Sequence, residues 1–253
     1  MLSIAGTALD RHAERVPTAR ERARAELTAE IAELARAQLA TVGAAGLSLR
    51  AVARDLGMVS SAVYRYFPSR DDLLTRLIIE AYDALGAAAE ESDDPAAPPL
   101  DRWVSVCRAV RGWALARPHE YALLYGSPVP GYRAPRDTVP AAMRVAAVLG
   151  RILGDAARAG LLTPVEPPPP GSAPLTAPVA ATVLPTDQPG IDDRVRARAI
   201  LAWSGLFGAV SFELFGHFSG ALTAPDAFFD AAARDLAGLV GLRAAHRPGP
   251  EGS

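Results

Sequence analysis

The chain has 253 residues, half of them hydrophobic, which is enough for one large domain or two modest ones with a sizeable core. Its net charge of −2 excludes a strongly basic protein, so any surface that binds nucleic acid must be local. A single cysteine, Cys107, excludes an intramolecular disulfide, and no uncharged apolar run reaches the roughly 18 residues of a membrane span, which predicts a cytoplasmic protein without membrane contact.

The first third of the chain predicts four helices after a flexible leader over residues 1–17. Apolar residues recur at helical spacing, and a Ser or Thr stands where each helix needs an N-cap. The predicted extents, each with its cap, are residues 20–41 with Thr18, 49–56 with Ser48, 60–66 with Ser60, and 70–91 with Ser69. The last helix is long enough to join two bodies.

The remaining two thirds predict a second set of helices beyond an acidic, Pro-rich link over residues 91–99, which is typical of a hinge. Nine prolines between positions 164 and 189 predict an irregular loop over residues 164–190. The predicted helices cover residues 100–117, 118–125, 139–162, 191–219 and 224–243, and a tail follows over 245–253.

Two short helices joined by a tight turn stand out near the N-terminus. Ala53 lets the helices approach closely, Gly57 can adopt the left-handed backbone that ends the first of them, and Val63 turns the apolar side of the second inward. This spacing is that of a helix-turn-helix, whose second helix enters the DNA major groove. Residues 1–76 hold 11 Arg against 9 acidic residues, which slightly favours DNA binding at the same end of the chain.

The sequence around the turn closely resembles the TetR family of bacterial transcription regulators, which share a run like Gly-Val-Ser-x-x-x-Leu-Tyr-x-Tyr/His-Phe-x-x-Lys-x-x-Leu. Here the run is Gly57-Met-Val-Ser-Ser-Ala-Val-Tyr64-Arg-Tyr66-Phe67-Pro-Ser-Arg70-Asp-Asp-Leu73, with Arg70 in place of the usual Lys. Residues 202–216 show a weaker resemblance to an actinobacterial-type subgroup that often has Trp-His-Gly where this chain has Trp203-Ser204-Gly205.

The resemblance implies an all-α fold of about nine helices. It implies a DNA-binding head with a helix-turn-helix over residues 18–68, a connecting helix over 69–91, and a C-terminal body for effector binding and dimerisation over 100–244. It further implies a homodimer whose partners are a double-stranded DNA operator and a small-molecule effector.

Nine residues around the helix-turn-helix are candidates for DNA contact. Helix starts favour phosphate, early positions of the second helix face the groove, Arg65 has the reach for a bidentate contact with guanine, and Ala62 could touch a thymine methyl group. The family places its matching tyrosines at phosphates, and the flanking arginines could neutralise phosphates. The candidates are Ser48, Arg50, Ser60, Ser61, Ala62, Tyr64, Arg65, Tyr66 and Arg70. The alternatives are a solvated charge for Arg50 and Arg65 and core packing for Tyr64.

Apolar residues of the C-terminal helices are candidates for two further surfaces. Those that could line a ligand pocket are Trp103, Cys107, Trp113, Tyr121, Tyr125, Met143, Phe207 and Phe212, although each could instead fill the core. Those that could form a four-helix dimer seam, as in the family, are Trp203, Leu206, Val210, Leu214, Phe218, Phe228, Leu236 and Leu239. Glu213 stands among these residues, so it is expected to pair with an Arg, face a ligand or lie at the seam, and His217 could hydrogen-bond with it.

No catalytic constellation is evident in the sequence. Cys107 lies in an apolar helical stripe, and there is no Gly-rich phosphate loop, nucleophile elbow or Cys/His cluster, which predicts no cofactor, no metal site and no enzymatic activity. The sequence instead predicts a transcription regulator, more readily a repressor, that a small molecule releases from a near-palindromic operator. The alternative is an all-α ligand-binding or enzymatic protein whose helix-turn-helix no longer binds DNA.

Overall fold

A computed structural model of the chain describes residues 18–163 and 191–243. The predicted leader, Pro-rich loop and tail lie outside the described residues. The described residues form ten α-helices and no strand, which confirms the all-α prediction. In chain order the helices are α1 (Ala19–Val42), α2 (Leu49–Asp55), α3 (Ser60–Val63), α4 (Arg70–Glu91), α5 (Pro99–Ala116), α6 (Pro118–Tyr125), α7 (Val139–Ala142), α8 (Arg144–Arg158), α9 (Asp193–Leu214) and α10 (Pro225–Leu239).

Three of the predicted C-terminal helices are shorter than expected, and the last of them ends at Leu239 instead of residue 243. The helix expected over residues 139–162 is divided at Met143 into α7 and α8, and α8 ends before Gly160, which has a φ of 68°. Similarly, α9 ends at Leu214 instead of continuing to residue 219, and Gly216 follows with a φ of 79°. In both places a glycine in the left-handed region ends the helix.

Three of the four predicted N-caps are present. The Thr18 hydroxyl accepts a hydrogen bond from the Glu21 amide at 3.2 Å while the Glu21 carboxylate accepts one from the Thr18 amide at 2.7 Å, which makes a capping box. The Ser48 and Ser69 side chains cap α2 and α4 by accepting hydrogen bonds from the amides of Ala51 and Asp72. The prediction for Ser60 is wrong, because Val59 occupies the N-cap position of α3 and provides no side-chain hydrogen bond.

The head has its own hydrophobic core, built from α1, α2, α3 and the first half of α4. The buried residues of this core are Ile31, Ala32, Ala35, Leu39, Leu47, Leu49, Val52, Ala53, Val63, Phe67, Leu73, Leu74 and Leu77. Ala53 and Val63 are fully buried where α2 meets α3, as the motif predicts. Gly57 has a φ of 67°, which allows the sharp turn between these two helices, and the Met58 amide then donates to the Ala53 carbonyl at 2.8 Å.

A second core fills the body, and α4 contributes to both. The first half of α4 packs in the head, whereas Ala81, Leu85 and Ala89 belong to the body core, where α4 packs mainly against α5 and α8. The largest fully buried side chains of the body are Trp103, Tyr121, Ile152, Leu153 and Leu206. One continuous helix therefore takes part in both cores.

The link over residues 91–99, predicted as a hinge, is clamped to the body. The Asp93 carboxylate is buried and accepts hydrogen bonds from the Arg102 guanidinium at 2.6 and 3.0 Å and from Arg151 at 3.0 Å. Arg102 also donates to Asp155 at 2.8 Å. Sequence periodicity places Arg102 off the apolar stripe of α5, yet its side chain is almost fully buried by these partners.

Candidate nucleic-acid interface

The helix-turn-helix presents a polar surface to solvent. Arg50 on α2 and Ser61 on α3 are exposed, as are Tyr64 and Arg65 in the turn that follows α3. Ser48, Ser60, Tyr66 and Arg70 are half-buried. Val52, Ala53 and Val63 fix the two helices against each other from the inside, so the exposed side chains are held on a rigid support.

The expectation that Ala62 is exposed is wrong. Its residue surface is 6% exposed, because α3 turns Ala62 and Val63 together toward the head core. The adjacent Val59 is instead 72% exposed, and sequence reasoning missed it because α3 was assigned a serine cap at position 60. α3 is also shorter than predicted, since the amides of Arg65 and Tyr66 bond three residues back and tighten the last turn.

Arg70 occupies a different place from the phosphate contact expected of it. Its guanidinium donates to the Leu47 carbonyl at 3.1 Å and to the carbonyls of Ala44 and Ala45 at 2.7 and 3.0 Å. These three carbonyls belong to the segment between α1 and α2. Arg70 therefore orders the approach to Ser48 and α2 from inside the protein.

Arg24 of α1 packs against the end of the helix-turn-helix. Its guanidinium carbon lies 5.1 Å from the centroid of the Tyr66 ring, and its Nη2 donates to the Arg65 carbonyl at 3.4 Å. These contacts place a positive charge beside the exposed surface of α3.

The predicted ligand residues divide into core and surface. Trp103, Cys107, Trp113, Tyr121 and Phe207 are buried. The Trp103 indole donates to the Ala233 carbonyl at 3.1 Å and the Tyr121 hydroxyl to the Phe207 carbonyl at 3.0 Å, so both polar tips are satisfied inside the core. Burial raises the pKa of the Cys107 thiol to about 12, as expected for an inert side chain.

Three of the predicted ligand residues have some solvent exposure. Met143 is half-buried at the junction of α7 and α8, and Phe212 is 52% exposed on the outside of α9, which removes it from any internal pocket. Tyr125 is half-buried and stacks on Phe207, with ring centroids 4.3 Å apart. Burial raises the pKa of the Tyr125 hydroxyl, which stays neutral.

An open cavity of about 420 Å³ lies between the end of α6 and the end of α9. It is lined by Ala122, Tyr125, Gly126, Ser127 and Phe215 and is called here the α6–α9 cavity. A groove of about 270 Å³, which shares Ala122 and Ser127 with this cavity, is lined by residues 42–45 of the head and residues 127–129 of the body. Sequence reasoning missed Ser127 and Phe215, which lie in turns and carry no periodic signal.

Comparison with known proteins decides the family. The family model described as bacterial regulatory proteins, tetR family, matches residues 31–77, and the model described as tetracyclin repressor-like, C-terminal domain, matches residues 103–236. The HTH-type transcriptional regulators Rv1816 of Mycobacterium tuberculosis and Mb1846 of Mycobacterium bovis are each 44% identical over 237 residues, covering 87% of this chain and 95% of theirs. The chain belongs to the TetR family.

A solved structure supports the same assignment over the whole fold. The crystal structure of the regulatory protein SCO4313 is 35% identical, with a TM-score of 0.67, and the match covers 87% of this chain and all of that one. The protein is therefore a DNA-binding transcriptional regulator of the TetR family. Members of this family typically respond to ligands, form dimers and are not enzymes.

The structure excludes two of the eight residues predicted for the dimer seam. Leu206 and Val210 are at most 1% exposed inside the body core, so they cannot contact a second chain. Trp203, Leu214, Phe218, Leu236 and Leu239 are half-buried, and Phe228 is exposed. The apolar side chains that α9, the turn after it and α10 expose are Leu201, Phe212, Phe215 and Phe228, called here the outer apolar patch.

Glu213 is neutralised by an arginine, the first of the three expected possibilities. Its two carboxylate oxygens each accept a hydrogen bond from Arg111 at 2.6 Å, and Arg111 also contacts Asp226 at 2.6 Å. His217 packs instead on the Phe212 ring, with centroids 4.9 Å apart. In the described part of the chain, no group of three His, Cys, Asp or Glu side chains could hold a metal ion.

Among the described helices, α9 alone is long and apolar enough to cross a membrane. Its inner face packs in the body core through Ala202, Leu206 and Val210. An amphipathic core helix with a second apolar face satisfies the same length and composition test, and TetR regulators are generally soluble proteins.

Proposed function

We propose that this TetR regulator is a cytoplasmic homodimeric repressor that binds a near-palindromic operator and is released from it by a small molecule. The observation that carries the proposal is the rigid helix-turn-helix, with Ser61 and Arg65 exposed at the recognition helix and Arg50 exposed on α2. A fold that binds DNA in this way needs polar side chains that can reach base edges and phosphates from a fixed support.

Base and phosphate contacts are assigned by reach and exposure. Arg65 is the side chain proposed to pair with guanine O6 and N7, and Ser61 approaches the neighbouring base edge. Arg50, Tyr64 and the Ser48 region at the start of α2 are proposed to contact phosphates, which fix the register of the protein on the duplex. The half-buried Ser60 and Tyr66 support this surface from its edge.

Two copies are proposed to associate through the outer apolar patch. A two-fold dimer places the two recognition helices about one turn of DNA apart and therefore requires an operator with two similar half-sites. The half-buried Trp203, Leu214, Phe218, Leu236 and Leu239 can extend the seam around the exposed side chains.

The effector is proposed to bind in the α6–α9 cavity. The same loop that lines this cavity through Ser127 carries Val129, which packs against the head core together with Leu123 of α6 and Tyr132. The Tyr132 hydroxyl also lies 3.0 Å from the Thr75 hydroxyl on α4. A ligand that displaces this loop would therefore change contacts of the head directly.

Ion pairs join the head to the body beside that loop. Arg36 of α1 contacts Glu80 of α4 at 2.8 Å and Glu120 of α6 at 3.4 Å. An effector can lower operator affinity only if it favours one arrangement of head and body over another, and these contacts are where two arrangements would differ.

The DNA-binding part of the proposal is tested by selecting an operator from random duplexes with the full-length protein and titrating variants at several salt concentrations. Arg65→Ala is expected to relax one base position at a cost of about 1–3 kcal/mol. Tyr64→Ala is expected to weaken all sequences alike and to reduce the salt dependence. Failure to select any sequence would support the alternative of a regulator-like fold that has lost DNA binding.

The effector part of the proposal is tested by a thermal-shift screen followed by operator titration. A true effector raises the melting temperature, because it binds the folded chain, and lowers operator affinity. The variant Ser127→Trp is expected to block the α6–α9 cavity, so that the compound neither raises the melting temperature nor changes operator affinity. An effector whose action is unchanged by this substitution binds elsewhere.

A further inference from the structure

Val59 is an unusual residue at the tip of the helix-turn-helix. It is the N-cap of α3, with φ −70° and ψ 139°, yet its side chain makes no capping hydrogen bond. It is also the most exposed large hydrophobic residue in the described part of the chain, at 72%.

The presence of a valine at position 59 is not explained by the stability of the local fold. Valine is among the poorest N-cap residues, whereas serine is among the best, and the TetR run has serine at this position. The core does not need Val59 either, since Val63 and Phe67 fill the interior behind α3. The apolar side chain is therefore available to a partner outside the protein.

The position of Val59 identifies the kind of partner. It stands at the N-terminal end of the recognition helix, the end that meets base edges in the major groove, and it is exposed, as Ser61 and Arg65 are. Those neighbours read hydrogen-bonding groups. The C5-methyl group of thymine is the apolar feature that base pairs display in that groove.

We infer that Val59 is a specificity-determining residue that packs on the methyl group of one thymine in each operator half-site. The inference rests on the proposed docking of α3 and takes over the role that sequence reasoning gave to Ala62, which is buried. Val59 contributes no hydrogen bond, so it discriminates thymine by methyl contact alone.

The test replaces each thymine of the selected operator by deoxyuridine, which removes only the methyl group. One symmetric pair of positions is expected to lose affinity by about threefold to fivefold per half-site, as expected for one buried methyl group. With Val59→Ser that sensitivity disappears, and Val59→Ala retains part of it. Thermal stability supplies a second readout. Because Val59→Ser restores a good N-cap residue, the variant protein is expected to melt at or above the wild-type temperature.

Val42→Ser is the matched control. Val42 is also an exposed valine of the head, but it lines the groove that faces the body, so its replacement should leave the deoxyuridine response unchanged. A wild-type protein insensitive to every deoxyuridine, or a sensitivity that persists in Val59→Ser, would overturn the inference. Neither result affects DNA binding itself, which the selection of an operator establishes separately.

Discussion

At the scale of single residues, Arg70 acts by donating hydrogen bonds to backbone carbonyls inside the protein. A cation in the first turn of a helix opposes the helix dipole, so its place at the start of α4 calls for specific partners. The guanidinium finds them in three backbone carbonyls of the segment between α1 and α2. That segment leads into Ser48, whose side chain caps α2, so Arg70 helps to orient the helix-turn-helix.

Arg70→Met is expected to lower stability by about 1–3 kcal/mol, because carbonyls in the segment lose their donor. Operator affinity should fall as the turn loosens, but the slope of log K against log salt should stay the same, because no phosphate contact is lost. Arg50→Met is the matched control, since Arg50 is exposed, and it should reduce that slope by about one unit with little change in stability. Urea unfolding and salt titrations distinguish the two. A reduced slope with unchanged stability in Arg70→Met would place its charge on the DNA.

At the scale of elements, the sequence predicts features that depend on neighbouring residues, such as N-caps, better than features that depend on tertiary packing, such as which face of a helix is buried. The caps at Thr18, Ser48 and Ser69 depend on residues three positions apart, so the sequence carries them directly. At α3 the N-cap is Val59 instead of Ser60, and Ala62 is buried beside Val63, because the packing of this short helix against the head core sets its orientation. Similarly, α9 has two apolar faces, and periodicity alone cannot say that Leu206 belongs to the inner one.

The clamp on the link between α4 and α5 had no local signal, because its partners come from separate elements. Asp93 precedes α5, Arg102 lies within α5, and Arg151 and Asp155 lie on α8. Each charge is acceptable in the interior because another neutralises it. These opposite charges come into contact only once the helices have packed.

Asp93→Asn is expected to destabilise the protein by about 3–5 kcal/mol at neutral pH, because it leaves the buried Arg102 charge without its main partner. Hydrogen bonding from Arg102 lowers the pKa of the Asp93 carboxyl in the folded chain. The stabilisation is therefore complete above the ordinary carboxyl pKa and is lost as the pH falls through the lowered value, so wild type and variant should converge in acid. Urea unfolding across this pH range measures the difference. Asp94→Asn, at the exposed neighbouring position, should show no comparable loss, and a pH-independent difference would contradict the argument.

At the scale of the whole molecule, the head core, the body core and the outer apolar patch each support a different function of the regulator. The head core holds the DNA-binding surface, the body core holds the α6–α9 cavity, and α4 belongs to both. In the Arg194–Leu214 segment of α9, only 28% of the most apolar stretch is buried within the chain. A large exposed apolar surface marks an interaction site, and a second copy of the chain is the proposed occupant.

Phe212→Glu is expected to convert the dimer into a folded monomer. Phe212 is 52% exposed and its ring contacts the Phe218 ring, which in turn contacts Phe228, so the substitution introduces a charge into the patch without disturbing either core. Sedimentation velocity should show half the mass, with unchanged helical circular dichroism. Affinity for the full operator should drop to that for an isolated half-site, because the second head no longer gains from being tethered to the first. Val139→Glu, at an exposed valine on α7, is the matched control and should leave mass and affinity unchanged. A dimeric Phe212→Glu protein with full operator affinity would show that the seam lies on another face.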